Sequence, residues 1–319
     1  MSRSEIPRRA ELQRRAIDAT ATVGRAARRR IAPLANAVTA RRLGQLAARH
    51  RDAGVDLPAA VDDALLDAVS TLVSDSAAQR RPLDDRWQSL ICEAFSGLYA
   101  QDLDTPPSAA VHKTIVDQFH RLYYHDTGTW RQTFWLGTKI WKCPLDLWLY
   151  QEMLHEVRPG LIVETGTAFG GSANYLGHLC DILGKGSIVS IDIDDRADRP
   201  EHERVTYIHG SSVDPDVVAR VSGLAHEGEP VIVILDSDHS ETHVYAELQA
   251  YADLVTPNSY LIVEDTNVNG HPAFPEHGPG PMEALDRFLA ERKDFSIDES
   301  KHKFHMTFNP RGVLKKSAR

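Results

Sequence analysis

The sequence predicts an α/β protein: a mostly parallel sheet with helices on both faces, preceded by a helical N-terminal region. Three observations carry this. Beyond residue 145, short runs of Val, Ile and Leu alternate with segments of helical spacing. The runs are apolar along their whole length rather than at every second residue, the pattern of strands buried on both faces. The first of them, Leu161–Glu164, also leads through Gly166-Thr-Ala-Phe-Gly170-Gly171 into a helix, a turn that sets backbone N–H groups and a helix N-terminus beside a ligand.

The elements follow in order. Val61–Val73 and Trp87–Tyr99 carry helical spacing, and Asp104-Thr-Pro-Pro-Ser108 reads as a linker. Val111, Ile115, Phe119 and Leu122 mark a further amphipathic helix. Leu145–Val157 is a helix ended by Arg158-Pro-Gly160. Strands are expected at Leu161–Glu164, Ser187–Asp192, Val205–His209, Val231–Asp236 and Ser259–Glu264, with helices centred near 177, 217, 248 and 286. Phe295–Ile297 and Phe304–Phe308 are expected to close the sheet as a hairpin. The boundary is placed at 110: a helical extension over 1–110, Arg-rich to about 55, and a catalytic domain over 111–319.

The 319 residues suffice for one large domain with an extension. No apolar run approaches the ~20 residues of a membrane span. Cys92, Cys143 and Cys180 are far apart and odd in number, which argues against a disulfide framework or a zinc site and for the cytoplasm. The net charge of −9 hides an asymmetry, because residues 1–51 hold 13 Arg, no Lys and 3 acids. The acidic remainder is a poor nucleic-acid binder and suits a small neutral or cationic ligand or a divalent metal. The basic N-terminus has no h-region behind it; it reads as a surface helix or loose arm, with an organellar transit peptide as the alternative. The helical N-terminal third shows no catalytic constellation, and self-association or covering of the site is its expected role, so a homo-oligomer is expected.

Two strand ends describe a nucleoside-binding crevice. The glycines after the first strand lack the G-x-G-x-x-G spacing of a dinucleotide fold and the Lys-Ser/Thr of a P-loop. Glu164, Thr165, Gly166, Ala168, Gly170 and Ser172 thus form a loop that admits a ligand without demanding phosphate. The Glu164 carboxylate would repel pyrophosphate and attract the amino group of a methionine-like moiety. Asp192, ending the second strand, has acceptor geometry for ribose hydroxyls. Ser212, in Ile208-His-Gly-Ser-Ser212, is placed to reach a nitrogen of a ring lying on the small residues. At this level a reading of Glu164 and Asp192 as capping acids stays open.

Strands four and five end in Asp236-Ser-Asp238-His239 and Glu264-Asp265-Thr266-Asn267. Parallel strands bring such ends to one edge, so Asp236, Asp238, Glu264 and Asp265 would crowd one crevice. Like charges that close are costly without a cation. Oxygen ligands favour a hard ion, Mg²⁺ or another divalent cation, and His239 is the candidate base. Acids that cap helices or hold protons, and His239 as a turn residue, are the alternatives. The Gly/Pro-rich loop Asn267–Pro281 reads as a lid, with Asn267, Asn269 and His271 as candidate substrate contacts, or as a stiff connection into the next helix.

These residues resemble the rhamnosyl O-methyltransferase/cephalosporin hydroxylase-like family. The resembling segments are Thr133-Phe-Trp-Leu-Gly137, Lys142-Cys-Pro-Leu-Asp146, Val163-Glu-Thr-Gly-Thr-Ala168, Ser190-Ile-Asp-Ile193, Leu235-Asp-Ser-Asp-His-Ser240, Val263-Glu-Asp-Thr266 and Gly278-Pro-Gly-Pro-Met-Glu283. They fall between about 130 and 310. The resemblance implies a Rossmann-like class I methyltransferase with a seven-stranded sheet that binds S-adenosyl-L-methionine. It implies Mg²⁺ on Asp236, Glu264 and Asp265, with Asp238 as the rival ligand, and His239 as the base. Asp236 would face the cofactor as well. The acceptor implied is a hydroxyl of a sugar or another glycosylated or polyhydroxylated metabolite. Two other functions compete: a part in hydroxylating or methoxylating a β-lactam, and a non-catalytic cofactor-binding partner subunit.

Overall fold

The computed structural model describes residues 109–126 and 128–318. The Arg-rich segment, the helices expected at 61–73 and 87–99, and the 104–108 linker lie outside the described residues. From Ile115 onward the chain forms one compact unit. Among the described residues no helix is long and apolar enough to cross a membrane.

The chain enters through helix α1 (Ala109–Arg121), which runs into a π-helical turn at Leu122–Asp126. A small hairpin follows, β1 (Phe134–Trp135) and β2 (Thr138–Lys139), turning through Leu136 and Gly137, both at positive φ. Two-residue turns of that kind match the twist of the paired strands. Helix α2 (Pro144–Val157) starts with proline in its first turn, where the missing N–H costs nothing. It ends at Arg158 in the left-handed conformation, just before Pro159 and Gly160.

The main body alternates strand and helix: β3 (Leu161–Thr165), α3 (Gly171–Leu183), β4 (Ser187–Asp192) and β5 (Val205–His209), then α4 (Pro215–Ser222), β6 (Val231–Leu235), α5 (Glu241–Tyr251), β7 (Tyr260–Val263), α6 (Pro281–Glu291), β8 (Phe295–Ile297) and β9 (Val313–Lys316). Helix α4 is capped at its start by Asp214, whose side chain accepts from the Asp216 N–H. The seven-stranded sheet has the order β5-β4-β3-β6-β7-β9-β8. Four neighbouring pairs are parallel, and β9 runs antiparallel between β7 and β8.

The sheet buries a core on each face. Val163, Val233, Val263, Leu248, Leu285 and Phe288 lie on one side. Ile162, Ile232, Ile262, Met153, Leu154 and Leu176 lie on the other. Alternate residues of β3, β6 and β7 thus serve opposite cores, as the unbroken apolar runs require.

One expected element differs. Phe304–Phe308 is not a strand; Phe308 and Met306 pack around Cys143 in a small cluster flanked by Tyr123, Tyr124, Trp130 and Leu145. The closing strand is β9, which begins after the turn at Asn309–Gly312.

The topology fixes where chemistry can occur. The chain runs outward from β3 in both directions, so β3 is the switch point, where open α/β sheets leave a crevice at the strands' carboxyl ends. The register aligns Thr165 with Ile191 and Leu235, and Leu235 with Val263. Asp192, Asp236 and Glu264 each follow one of these aligned positions or lie next to it.

Candidate active site

A cleft of 530 Å³ opens at this edge. The Gly166 turn, Ala168, Asp192 and Ser212 line it together with Asp236, Asp238, His239 and Asp265. Tyr124, Trp130, Trp141 and Phe169 add an aromatic side.

The glycine turn is built by close approach. Gly166 has φ +83°, and a Cβ there would lie 1.8 Å from the Asp236 carbonyl oxygen. Its N–H donates to Ile191 O at 2.8 Å, so the turn is clamped between β4 and β6. Thr165 is buried and its Oγ1 accepts from the Asp236 N–H at 3.2 Å. A Cβ on Gly171 would meet the Lys139 carbonyl at 2.2 Å, so β2 lies directly on the first turn of α3. Gly170 precedes that turn at φ +77°, and Ser172 is buried within it.

Asp192 holds the loop. Its Oδ2 accepts from the N–H groups of Thr167 (3.0 Å) and Ala168 (2.8 Å) and pairs with Arg199 at 3.0 Å. Its Oδ1 accepts the Asp194 N–H at 2.9 Å. Glu164 lies beneath the cleft rather than in its lining: it is fully buried, accepts from Ser190 Oγ at 2.7 Å, and its Oε1 finds no hydrogen-bond partner among the described residues. Burial raises its pKa, with Lys142 opposing. Ser212 Oγ meets His243 Nε2 at 3.1 Å, and His243 pairs with buried Glu247.

At the acidic end the expected residues separate into two groups. Asp236, His239 and Asp265 each offer a ligand atom within 4.8 Å of the others, with His239 Nε2 3.1 Å from Asp265 Oδ2. Their side chains are 19%, 30% and 20% exposed, so all three reach the cleft. Glu264 is withdrawn: it is 3% exposed, pairs with Lys142 at 2.6 Å and accepts from the Tyr150 hydroxyl. Asp238 is exposed, and its Oδ1 accepts the Ser240 N–H at the start of α5.

Lys142 is the member sequence reasoning missed. It is buried and bridges Asp236 and Glu264, 2.6 Å from each. Burial would lower its pKa, but the two carboxylates outweigh that and raise it. Even so, burial, Glu264 and Asp265 push the Asp236 carboxyl well above its ordinary range against the pull of Lys142. Burial raises Asp265 too, against the pull of His239. The cluster is short of positive charge, and its oxygen-rich donor set fits a hard divalent cation.

Asn267, Asn269 and His271 do not line the cleft. Asn267 is buried with its amide donating to His120 Nε2 at 2.8 Å. Asn269 and His271 both bind Glu283, at 2.9 and 3.0 Å, while Glu283 also accepts the Gly280 N–H. The loop closes on itself and on α6, as a segment without ladder partners must to satisfy its polar groups.

A seven-stranded sheet with one reversed strand, a non-phosphate glycine turn at its switch point and an acid–imidazole cluster across the cleft define a class I methyltransferase. A family model described as Rhamnosyl O-methyltransferase/CmcI matches residues 127–317. A rhamnosyl O-methyltransferase of Mycobacterium tuberculosis (strain ATCC 25618 / H37Rv) is 37% identical over 223 residues, which cover 68% of this chain and 89% of the relative. One from Mycobacterium leprae (strain TN) is 36% identical over 210 residues, 63% of this chain and 90% of the relative. Among solved structures, the CmcI-N160 apo-structure is similar at 26% identity and a TM-score of 0.48, covering 59% of this chain and 78% of that one. The chain belongs to the Rhamnosyl O-methyltransferase/CmcI family and is an S-adenosylmethionine-dependent O-methyltransferase.

Proposed function

We propose that the chain transfers a methyl group from S-adenosylmethionine to a hydroxyl of a sugar, rhamnose or a related ring on a glycosylated product, and that the transfer depends on a divalent cation. The observation that carries it is the convergence of Asp236, His239 and Asp265 in a cleft that Asp192 and the Gly166 turn also line.

The Gly166–Ala168 backbone and Asp192 would hold the donor, with the ribose hydroxyls on Asp192 and the purine near Ser212. Asp236 would stand between donor and acceptor; its backbone is pressed against Gly166 and its side chain lines the cleft. Asp236 and Asp265 would hold the cation, with Glu264 behind them tied to Lys142. A divalent cation bound there would lower the pKa of the acceptor hydroxyl and fix its direction. His239 takes the hydroxyl proton. The oxygen's electron pair forms the new C–O bond as the C–S bond breaks, leaving S-adenosylhomocysteine. His239 is held for that task by Asp265, whose Oδ2 lies 3.1 Å from Nε2 and fixes the ring's orientation.

A part in inserting oxygen has less support. Non-haem iron oxygenases use two imidazoles and one carboxylate, whereas this cluster has one imidazole and two carboxylates.

The test is mass spectrometry of methyl α-L-rhamnopyranoside and larger rhamnosides incubated with the full chain, methyl-labelled donor and Mg²⁺. One labelled methyl per product, abolished by EDTA and restored by Mg²⁺, is expected. Transfer undiminished by EDTA would remove the cation from the account. Absence of transfer to any glycoside would remove the sugar acceptor.

A further inference from the structure

Resting on the sugar-acceptor reading above, we propose that Tyr124, Trp130 and Trp141 form the acceptor subsite: an aromatic wall on which a pyranose lays its C–H face while one hydroxyl points at Asp236, His239 and Asp265.

The wall and the acid–imidazole cluster line the same cleft. Tyr124 and Trp130 stack with centroids 5.4 Å apart and planes 26° apart. The indole N–H of Trp130 is spent inside the wall, donating to the Tyr124 carbonyl at 3.1 Å. Trp130 therefore has no free side-chain donor, and with Tyr124 stacked on it and the Arg131 guanidinium 4.8 Å from its ring centroid it backs the wall, leaving Trp141 as the ring surface open to C–H groups. Trp141 meets Trp130 at 5.7 Å and Phe169 at 4.8 Å, both nearly perpendicular, so neither ring stacks in parallel on the indole. Lys139 Nζ lies 5.7 Å over that ring. Trp141 nevertheless stays 42% exposed, a large apolar surface left uncovered beside charged groups.

Its position is not incidental. Trp141 is one peptide away from Lys142, whose buried ammonium grips Asp236 and Glu264 at 2.6 Å each. Successive side chains thus point to different tasks, Lys142 inward to the acids and Trp141 to the cleft. The wall is registered against the groups that would take the proton, which is what holding a hydroxyl in line for attack requires. The acidic end supplies the polar half of the recognition. A pyranose has the matching two-sidedness, with C–H groups on a face and hydroxyls at its edge, and a 6-deoxy ring adds a methyl group to the apolar side.

The donor is the rival occupant of this wall, because Phe169 belongs to the glycine turn. The two are separated by measuring both ligands on one variant. The full chain with S-adenosylhomocysteine and Mg²⁺ is probed with methyl α-L-rhamnopyranoside by saturation-transfer NMR, and S-adenosylhomocysteine affinity is measured by calorimetry. In the wild type, saturation is expected on ring C–H and C6 methyl protons. Trp141→Gln is expected to weaken rhamnoside binding by about tenfold with homocysteine-nucleoside affinity within about twofold of wild type, and Trp141→Phe to retain most of the binding. Wild-type rhamnoside binding in Trp141→Gln would overturn the wall while leaving the sugar acceptor standing. A parallel loss of S-adenosylhomocysteine would assign the wall to the donor. A wild-type chain that shows no saturation transfer to the rhamnoside would overturn the wall together with the sugar acceptor beneath it.

Discussion

Lys142 Nζ lies 2.6 Å from Asp236 Oδ2, so this cleft-lining carboxylate is already half engaged by a cation the chain carries itself. The same ammonium holds Glu264 and keeps it out of the cleft. Removing the charge strands two buried or half-buried carboxylates beside Asp265. Lys142→Met is expected to cost about 3–5 kcal/mol of stability without metal, the penalty for breaking a buried pair from one side. Mg²⁺ is expected to recover part of that loss, since a divalent ion replaces the missing charge. Urea unfolding with and without Mg²⁺ checks this; an equal loss in both conditions contradicts it.

Gly166 and Asp236 are locked by contact rather than by charge. Gly166→Ala places a Cβ 1.8 Å from the Asp236 carbonyl at a φ of +83°. Strain of that kind costs about 1–3 kcal/mol before the clash is counted. The variant is expected to melt earlier and to bind S-adenosylhomocysteine at least about tenfold more weakly, because the loop and the acid move together. Calorimetry reads both.

His239 lies close enough to Asp236 and Asp265 to be a ligand as well as a base, and the two roles separate in one variant. His239→Gln is expected to lower kcat by ~10²–10⁴-fold, the usual range for general-base help. Mn²⁺ affinity, followed by electron paramagnetic resonance, should stay near wild type. A Mn²⁺ affinity that falls with kcat would make the imidazole a ligand.

Acid sensitivity is expected from His120. Burial, chiefly, pushes its pKa down from 6.5 to about 4, and the neutral imidazole accepts from Asn267. Between pH 6.5 and about 4 the unfolded chain binds a proton that the folded chain refuses. Stability attributable to His120 is therefore intact above pH 6.5, falls through that window, and falls no further below about 4. A His120→Gln variant should show a shallower loss of unfolding free energy across the same window. Parallel pH profiles for the two proteins would refute the assignment.

The strands were legible because β3, β4, β6 and β7 are apolar on both faces, and a doubly covered parallel sheet leaves that mark in one sequence. Strand β9 was not, because Val313-Leu-Lys-Lys carries only two apolar residues. Phe304–Phe308 was mistaken for the strand since aromatic residues packed around a single cysteine look the same in sequence as an alternating edge. The convergence of Asp236, His239 and Asp265 could be read because parallel pairing gathers strand ends at one edge. Lys142 could not, since it reaches Asp236 from a loop 94 residues earlier, and nothing in a lone lysine before Cys-Pro shows where its side chain goes. Trp141 was hidden for the same reason. Asn267, Asn269 and His271 look like substrate contacts in a polar loop, yet their side chains meet His120 and Glu283.

Methyl transfer as proposed requires Asp236 and Asp265 to hold a divalent cation beside the methyl donor. Anomalous scattering from crystals grown with Mn²⁺ and S-adenosylhomocysteine tests it most directly. One peak is expected at about 2.1 Å from carboxylate oxygens of both residues, with the nucleoside's ribose at Asp192. A peak held elsewhere, or crystals that bind the nucleoside and show no peak between those two acids at saturating Mn²⁺, would contradict it.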